Sequence, residues 1–153
     1  MKKRFTAGVL LAIFTFLFLE TEYLFVNIRG TLSNSRQAVS AQGIVLGVSV
    51  IGFLLYALFH RIKSAFVKRV VTVVVPLVMA VCLSLLYEAD SYAICLFVGC
   101  VVFVLLGLFG SALHYHALFY VGRDSHLALL IGVAYALGLL FQFICNNLVR
   151  SQM

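Results

Sequence analysis

Apolar positions run through this chain in five blocks, separated by short polar stretches. A helix needs about 20 mainly apolar residues to cross roughly 30 Å of hydrocarbon, and each block is of that order. The first predicted span covers about 5–28 and is uninterrupted as far as Leu19. A polar connection, 29–37, leads to a second span at about 38–59. The basic stretch 60–69 precedes a third span, about 70–87. Pro76 lies inside that span and removes the bond to the Thr72 carbonyl, which predicts a bend. The acidic turn Glu88-Ala89-Asp90-Ser91 opens onto the fourth span, about 92–120. After a link at 122–125, with Ser125 as a helix cap, comes the fifth, about 127–149. The pattern predicts an all-α, polytopic integral membrane bundle of five transmembrane helices, one membrane domain over 1–153.

Composition points the same way. Hydrophobic residues make up 64% of the chain and charged residues 10%, against about 25% charged in a soluble domain. Mean hydropathy is +1.14. So little charge cannot cover a surface facing water. The opening Met1-Lys2-Lys3-Arg4 imitates a secretory signal, but no small-x-small cleavage pattern follows, so an uncleaved first span is expected.

Charge placement predicts an orientation. Arg61, Lys63, Lys68 and Arg69 lie together between the second and third spans, and loops rich in Lys and Arg stay cytoplasmic. With the amino terminus inside, eight basic residues fall on the cytoplasmic side (Lys2, Lys3, Arg4, these four, and Arg123). Three fall outside: Arg29, Arg36 and Arg150. The expected arrangement is N-in/C-out in the cell's inner (plasma) membrane, multi-pass, with the lipid bilayer as principal partner. The net charge of +6 sits at segment ends and in loops, which argues against nucleic acid.

Small residues predict the packing faces. Gly43 and Gly47 share one face of the second span, Gly99 and Gly107 one face of the fourth, and Ala128, Gly132 and Ala136 one face of the fifth. Such faces let helix backbones approach closely in lipid.

Glu20 and Glu22 carry the most information among the polar residues. An ionisable group within a span is expensive and is by default a functional candidate. Two positions apart on a helix, they point about 200° from one another, and Glu20 shares its stripe with Asn27. Two readings stand. One is a proton- or cation-responsive site, or a contact for a polar ligand entering from outside. The other is a helix end wetted by headgroups. Gln142 and Asn146 are four apart, on an inward line begun by Tyr135, and either hydrogen-bond between helices or line a polar cavity with Glu20 and Asn27.

Metal and catalytic patterns are missing. His114 and His116 are two apart and cannot share a helical face for a metal. The four cysteines lie inside apolar runs without a CxxC pair, as small hydrophobes do. There is no Gly-rich phosphate loop, Gly-x-Ser-x-Gly elbow or HExxH. No enzyme, no metal site and no cofactor is expected.

Five spans, an inside amino terminus and a basic second loop resemble the first half of the major facilitator superfamily. The run 42–54, QGIVLGVSVIGFL, is similar to that fold's second helix, and 132–149, GVAYALGLLFQFICNNLV, to its fifth. Both are most similar to facilitator-like membrane domains found ahead of LuxR-type DNA-binding modules in some gut Actinobacteria. The family's loop motif, Gly-x-x-x-Asp-Arg-x-Gly-Arg-Arg/Lys, falls on 56–65, where only Arg61 matches. Tyr56 stands for the first glycine, His60 for the aspartate and Lys63 for the second glycine. A complete half in that fold has six spans and a transporter twelve, with substrate bound between the halves. The resemblance implies a transport-related or ligand-sensing module that takes a small-molecule ligand and needs a partner membrane chain or a second copy. The alternative expectation is a non-transporting scaffold, or a truncated, degenerate fragment.

Overall fold

The computed structural model describes residues 2–121 and 126–149, and among these helices joined by short links make up the chain, with no strand. Five helices follow one another: α1 (Lys2–Leu32), α2 (Ser35–His60), α3 (Ala65–Tyr87), α4 (Tyr92–Val121) and α5 (His126–Ile144). A π-helical turn, Cys145–Val149, continues α5. Four stretches are long and apolar enough to cross a membrane: Arg4–Leu32, Ser35–His60, Tyr92–Phe119 and His126–Asn147. In α3 the apolar part is shorter, Val73–Tyr87.

Two connections are tighter than their polarity suggests. The expected 29–37 loop shrinks to Ser33 and Asn34, because α1 runs on to Leu32 and α2 begins at Ser35. A capping box makes this stable. The Asn34 side chain accepts from the Gln37 N–H at 2.9 Å, and the Gln37 side chain accepts from the Asn34 N–H at 3.3 Å. The basic stretch is likewise divided. Arg61 caps α2 and Lys63 lies in the exposed link, whereas Lys68 and Arg69 fall within the first turns of α3; their side chains lie outside the described residues. Arg123, Ser125 and Arg150 also lie outside them.

The chain forms two compact units. The first joins α1 up to Tyr23, α4 from Ala112, and α5; the second holds residues Leu24–Ser111.

In the second unit α2 and α4 run parallel. Gln37, early in α2, accepts a hydrogen bond from the Tyr92 hydroxyl at the start of α4, and farther along Gly52 and Ser49 meet Val104 and Gly107. Because α4 starts level with the start of α2, α3 must carry the chain back over the height that α2 has climbed. Its 23 residues span about 34 Å, enough for that return.

The contact between α2 and α4 is glycine-made. A Cβ on Gly52 would strike the Val104 carbonyl and lie 2.9 Å from the Leu108 nitrogen; one on Gly107 would strike the Ser49 carbonyl and lie 3.0 Å from the Phe53 nitrogen. Here the structure corrects the sequence expectation for α2. Gly43 and Gly47 are exposed with nothing within 4 Å of their Cβ positions, while the buried stripe is Ala41, Val45, Ser49, Gly52 and Tyr56. On α4, Gly99 does meet a neighbour: Phe25, 0% exposed, fills the space a side chain there would take.

In the first unit α1 and α5 run parallel. Gly8 meets Leu130, Thr15 meets Gly138 and the Leu19 carbonyl meets Gln142, in increasing order along both helices. Ala7, Leu11, Ala12, Ala117 and Ala134 form the core. A second correction follows. Ala128, Gly132 and Ala136 are exposed, and the close approach runs through Ala134 and Gly138, where a Cβ would sit 2.6 Å from the Thr15 Cβ. Spacing identifies a small-residue face; it does not say whether a neighbour covers it.

Large apolar side chains point outward all along these helices. Only 11% of the α5 span is buried, and Leu129, Phe143 and Leu54 are each more than 60% exposed. A helix hydrophobic on every side belongs in a larger core or in lipid.

Candidate functional site

The polar groups of the first unit gather along the seam between α1 and α5. Gly138 lets the two backbones come together beside Thr15, whose hydroxyl is satisfied within its own helix by the Leu11 carbonyl at 2.9 Å. One turn beyond Gly138, Gln142 reaches across and donates to the Leu19 carbonyl at 3.3 Å. The next residue on α1 is Glu20. It is half-buried, and its Oε1 is shielded from solvent with no hydrogen-bond partner. A carboxylate only accepts. A cation or hydrogen-bond donor arriving there would meet an acceptor that no group of the described chain already occupies.

A second polar link closes the same unit. His114 on α4 bonds to the Tyr135 hydroxyl on α5, and the imidazole stands edge-on to Phe14 of α1, with centroids 6.2 Å apart. One histidine thus ties all three helices of the unit. The sequence carried a signal for this pair: His114 and Tyr135 lie at nearly equal distances, in sequence, from the polar link expected between the fourth and fifth apolar blocks.

Of the four polar candidates, Glu20, Gln142 and Asn146 belong to the first unit and Asn27 to the second. Glu20 and Gln142 belong to the same unit, with Gln142 bonded to the carbonyl adjoining Glu20. Asn27 is exposed and belongs to the other unit. Asn146 is half-buried in the π-helical turn. There the Phe143 carbonyl accepts from the Asn147 side chain at 2.9 Å.

A separate groove of about 630 Å³ lies between α1 and α5. Phe5, Val9, Ile13, Leu129, Val133 and Leu137 are among its walls, with Arg4 and His126 where the two helices begin. None of the four polar candidates lines it. Its walls suit a hydrocarbon chain, and in a bilayer lipid would fill it.

No protein-family model matches the chain, and no curated protein or solved structure is similar to it.

Proposed function

We propose that this chain is a multi-pass protein of the bacterial inner membrane, with five spans and its amino terminus inside. We further propose that it serves as a transport-related or ligand-sensing module without a catalytic step of its own. Four long apolar helices support the membrane setting. The parallel course of α2 and α4, with α3 returning between them, supports five crossings rather than four. The count of eight basic residues against three supports the orientation. On this reading Lys63 faces the cytoplasm. Cysteine placed at 63, in a chain without its native cysteines, should react with an impermeant maleimide only after the cells are opened.

The functional part of the proposal rests on one observation, the unpartnered Oε1 of Glu20 beside the Gln142–Leu19 bond. An acceptor left unpaired within an apolar helix is expensive unless something binds it. The module therefore binds a proton, a cation or a donor-bearing small molecule at Glu20, with Gln142 holding α5 against α1 around it. Hydrophobic carbodiimides test this, because they modify carboxyl groups inside apolar surroundings. Glu20 should be modified faster than Glu88, the modification should slow as pH rises or a bound cation competes, and Glu20→Gln should abolish it. Equal modification of Glu20 and Glu88, insensitive to both treatments, would sink this reading.

A specific observation favours a second reading, the membrane scaffold. Gly43, Gly47 and Gly132 have open space above them, and Ala128 and Ala136 are exposed. Faces of that kind suit another membrane helix, from a partner chain or a second copy. Disulfide crosslinking through cysteines at 43 and 132 in native membranes separates the readings. Captured partners with unaltered carbodiimide chemistry at Glu20 would favour the scaffold.

A further inference from the structure

Arg29 is 2% exposed, and its Nε and Nη1 are both buried without a hydrogen-bond partner. A guanidinium does not shed its proton in a protein, so a buried one has to be met by an acceptor. Its surroundings supply little. The guanidinium carbon lies 5.1 Å from the centroid of the Phe25 ring, and a ring face compensates only a small part of the cost of desolvating an ion. The acidic residues on the connection to α4 are Glu88 and Asp90, and Glu22 is the nearest on α1; among the described residues none forms an ion pair with Arg29.

The second unit fixes where this charge points. Phe25 packs edge-on against Phe103 at 6.0 Å and occupies the space over Gly99. That contact pins α1 to α4. Arg29, one turn farther along α1, has Tyr92 and Cys95 as its electrostatic neighbours, both in the first turn of α4. This is the amino end of a 30-residue helix. Ser91 accepts from the Ile94 N–H at 3.4 Å, and the Cys95 N–H begins the ladder on the Ser91 carbonyl at 3.0 Å. The Tyr92 and Ala93 amides have no carbonyl within the helix to bond. The Tyr92 hydroxyl ties this turn to the start of α2 through the Gln37 carbonyl.

A buried cationic side chain and a positive helix end therefore lie near one another, and among the described residues no carboxylate is paired with Arg29. Left so, the two repel. We propose that Arg29 and the first turn of α4 form a binding site for an anionic group of phosphate or carboxylate chemistry, independent of the Glu20 site. The guanidinium would offer its two-pronged donor face and the helix its free amides, the pairing such anions favour. In the proposed orientation the site opens near the outer interface, where the anion can be a free ion or an anionic lipid headgroup.

The full chain in lipid nanodiscs tests this. In discs of phosphatidylcholine alone, phosphate should raise the unfolding midpoint saturably. At ten times its dissociation constant the folded-to-unfolded ratio should rise about 11-fold. Arg29→Met should lose that response. Arg29→Lys, which keeps the charge but not the fork, should fold and need more phosphate for half the effect. Discs containing phosphatidylglycerol separate the sources. A raised midpoint with no further response to phosphate assigns the site to the headgroup, and a preserved response assigns it to the free ion. An equal phosphate shift in the wild type and Arg29→Met would be a general salt effect and would overturn the proposal. So would indifference of the wild type to both phosphate and phosphatidylglycerol. If Glu88→Gln or Asp90→Asn destabilised the chain as strongly as an empty site should, and anions had no effect, an internal acid would be the counter-ion and the proposal would fail.

Discussion

Replacing Gly107 by alanine puts the packing of the second unit under the most direct test. The added Cβ would land on the Ser49 carbonyl oxygen and 3.0 Å from the Phe53 nitrogen. Both are backbone atoms, so no side chain can swing away. A comfortable carbon–oxygen contact is about 3.3–3.6 Å, and α2 and α4 would have to part by roughly an ångström to reach it. Overpacking of this kind costs about 1–3 kcal/mol. Alanine regains up to about 1 kcal/mol of helix propensity, less in lipid, where the separated state is already helical. The net expectation is a loss of about 2 kcal/mol. Gly52→Ala should behave alike, since its Cβ strikes the Val104 carbonyl. The double variant should cost less than the sum, because helices parted by one methyl have made room for the other. Gly43→Ala and Gly47→Ala meet nothing within 4 Å and should be neutral or gain a few tenths of a kcal/mol. The assay is equilibrium unfolding of monomeric protein in mixed micelles, followed by fluorescence of its 7 tyrosines in a chain without tryptophan. A Gly107→Ala variant as stable as wild type, or a Gly43→Ala variant equally damaged, would refute the assigned packing faces.

Other expectations can be checked in the same titration. Gln142→Leu removes the one bond from that side chain to the Leu19 carbonyl and should cost about 1 kcal/mol, the scale of hydrogen bonds between membrane helices. Tyr135→Phe removes the hydroxyl that meets His114. A double-mutant cycle with His114→Phe should give a coupling of about 0.5–1.7 kcal/mol, and zero coupling would mean the pair does not form in the membrane. In the chain carrying Lys63→Cys, converting Arg61, Lys68 and Arg69 to serine leaves, in the proposed orientation, four inner basic residues against three outer ones, so maleimide labelling at position 63 should show a mixture of orientations.

The helical class of the fold could be read directly, because the five apolar blocks of the sequence correspond to five helices, four of them long and apolar enough to cross a membrane. Helix boundaries were less legible. Asn34 with Gln37 three residues later is a capping signature, but both lie in a stretch whose polarity suggests a loop, and polarity is a weaker signal than a cap. The same holds where α3 starts before Lys68 and Arg69: lysine and arginine stems extend along apolar surface while their heads reach water, so basic residues can belong to a helix without ending it. Packing faces were the least legible. In water, the buried face of a helix announces itself by contrast with a polar one. In lipid both are apolar, and the stripe through Ala41, Val45, Ser49 and Gly52 competes with the one through Gly43 and Gly47 on nearly equal terms.

The contrast between Glu20 and Arg29 carries this further. By sequence both are charged groups near the end of the first span, one treated as a candidate site and the other only counted toward orientation. Hydropathy cannot separate them, since it assigns a charge to a depth and says nothing of its neighbours. Separation comes from a feature about two helical turns along another helix: Gly99, which lacks the side chain that would keep Phe25 out. With Phe25 seated there, Arg29 is carried inward to the start of α4 and ends at 2% exposure. Filling Gly99 should therefore act at a distance. Gly99→Leu would displace Phe25, free Arg29 to reach water and weaken anion binding without touching an anion-contacting atom. If phosphate stabilised that variant as it does the wild type, Phe25 would not be what holds the guanidinium in place.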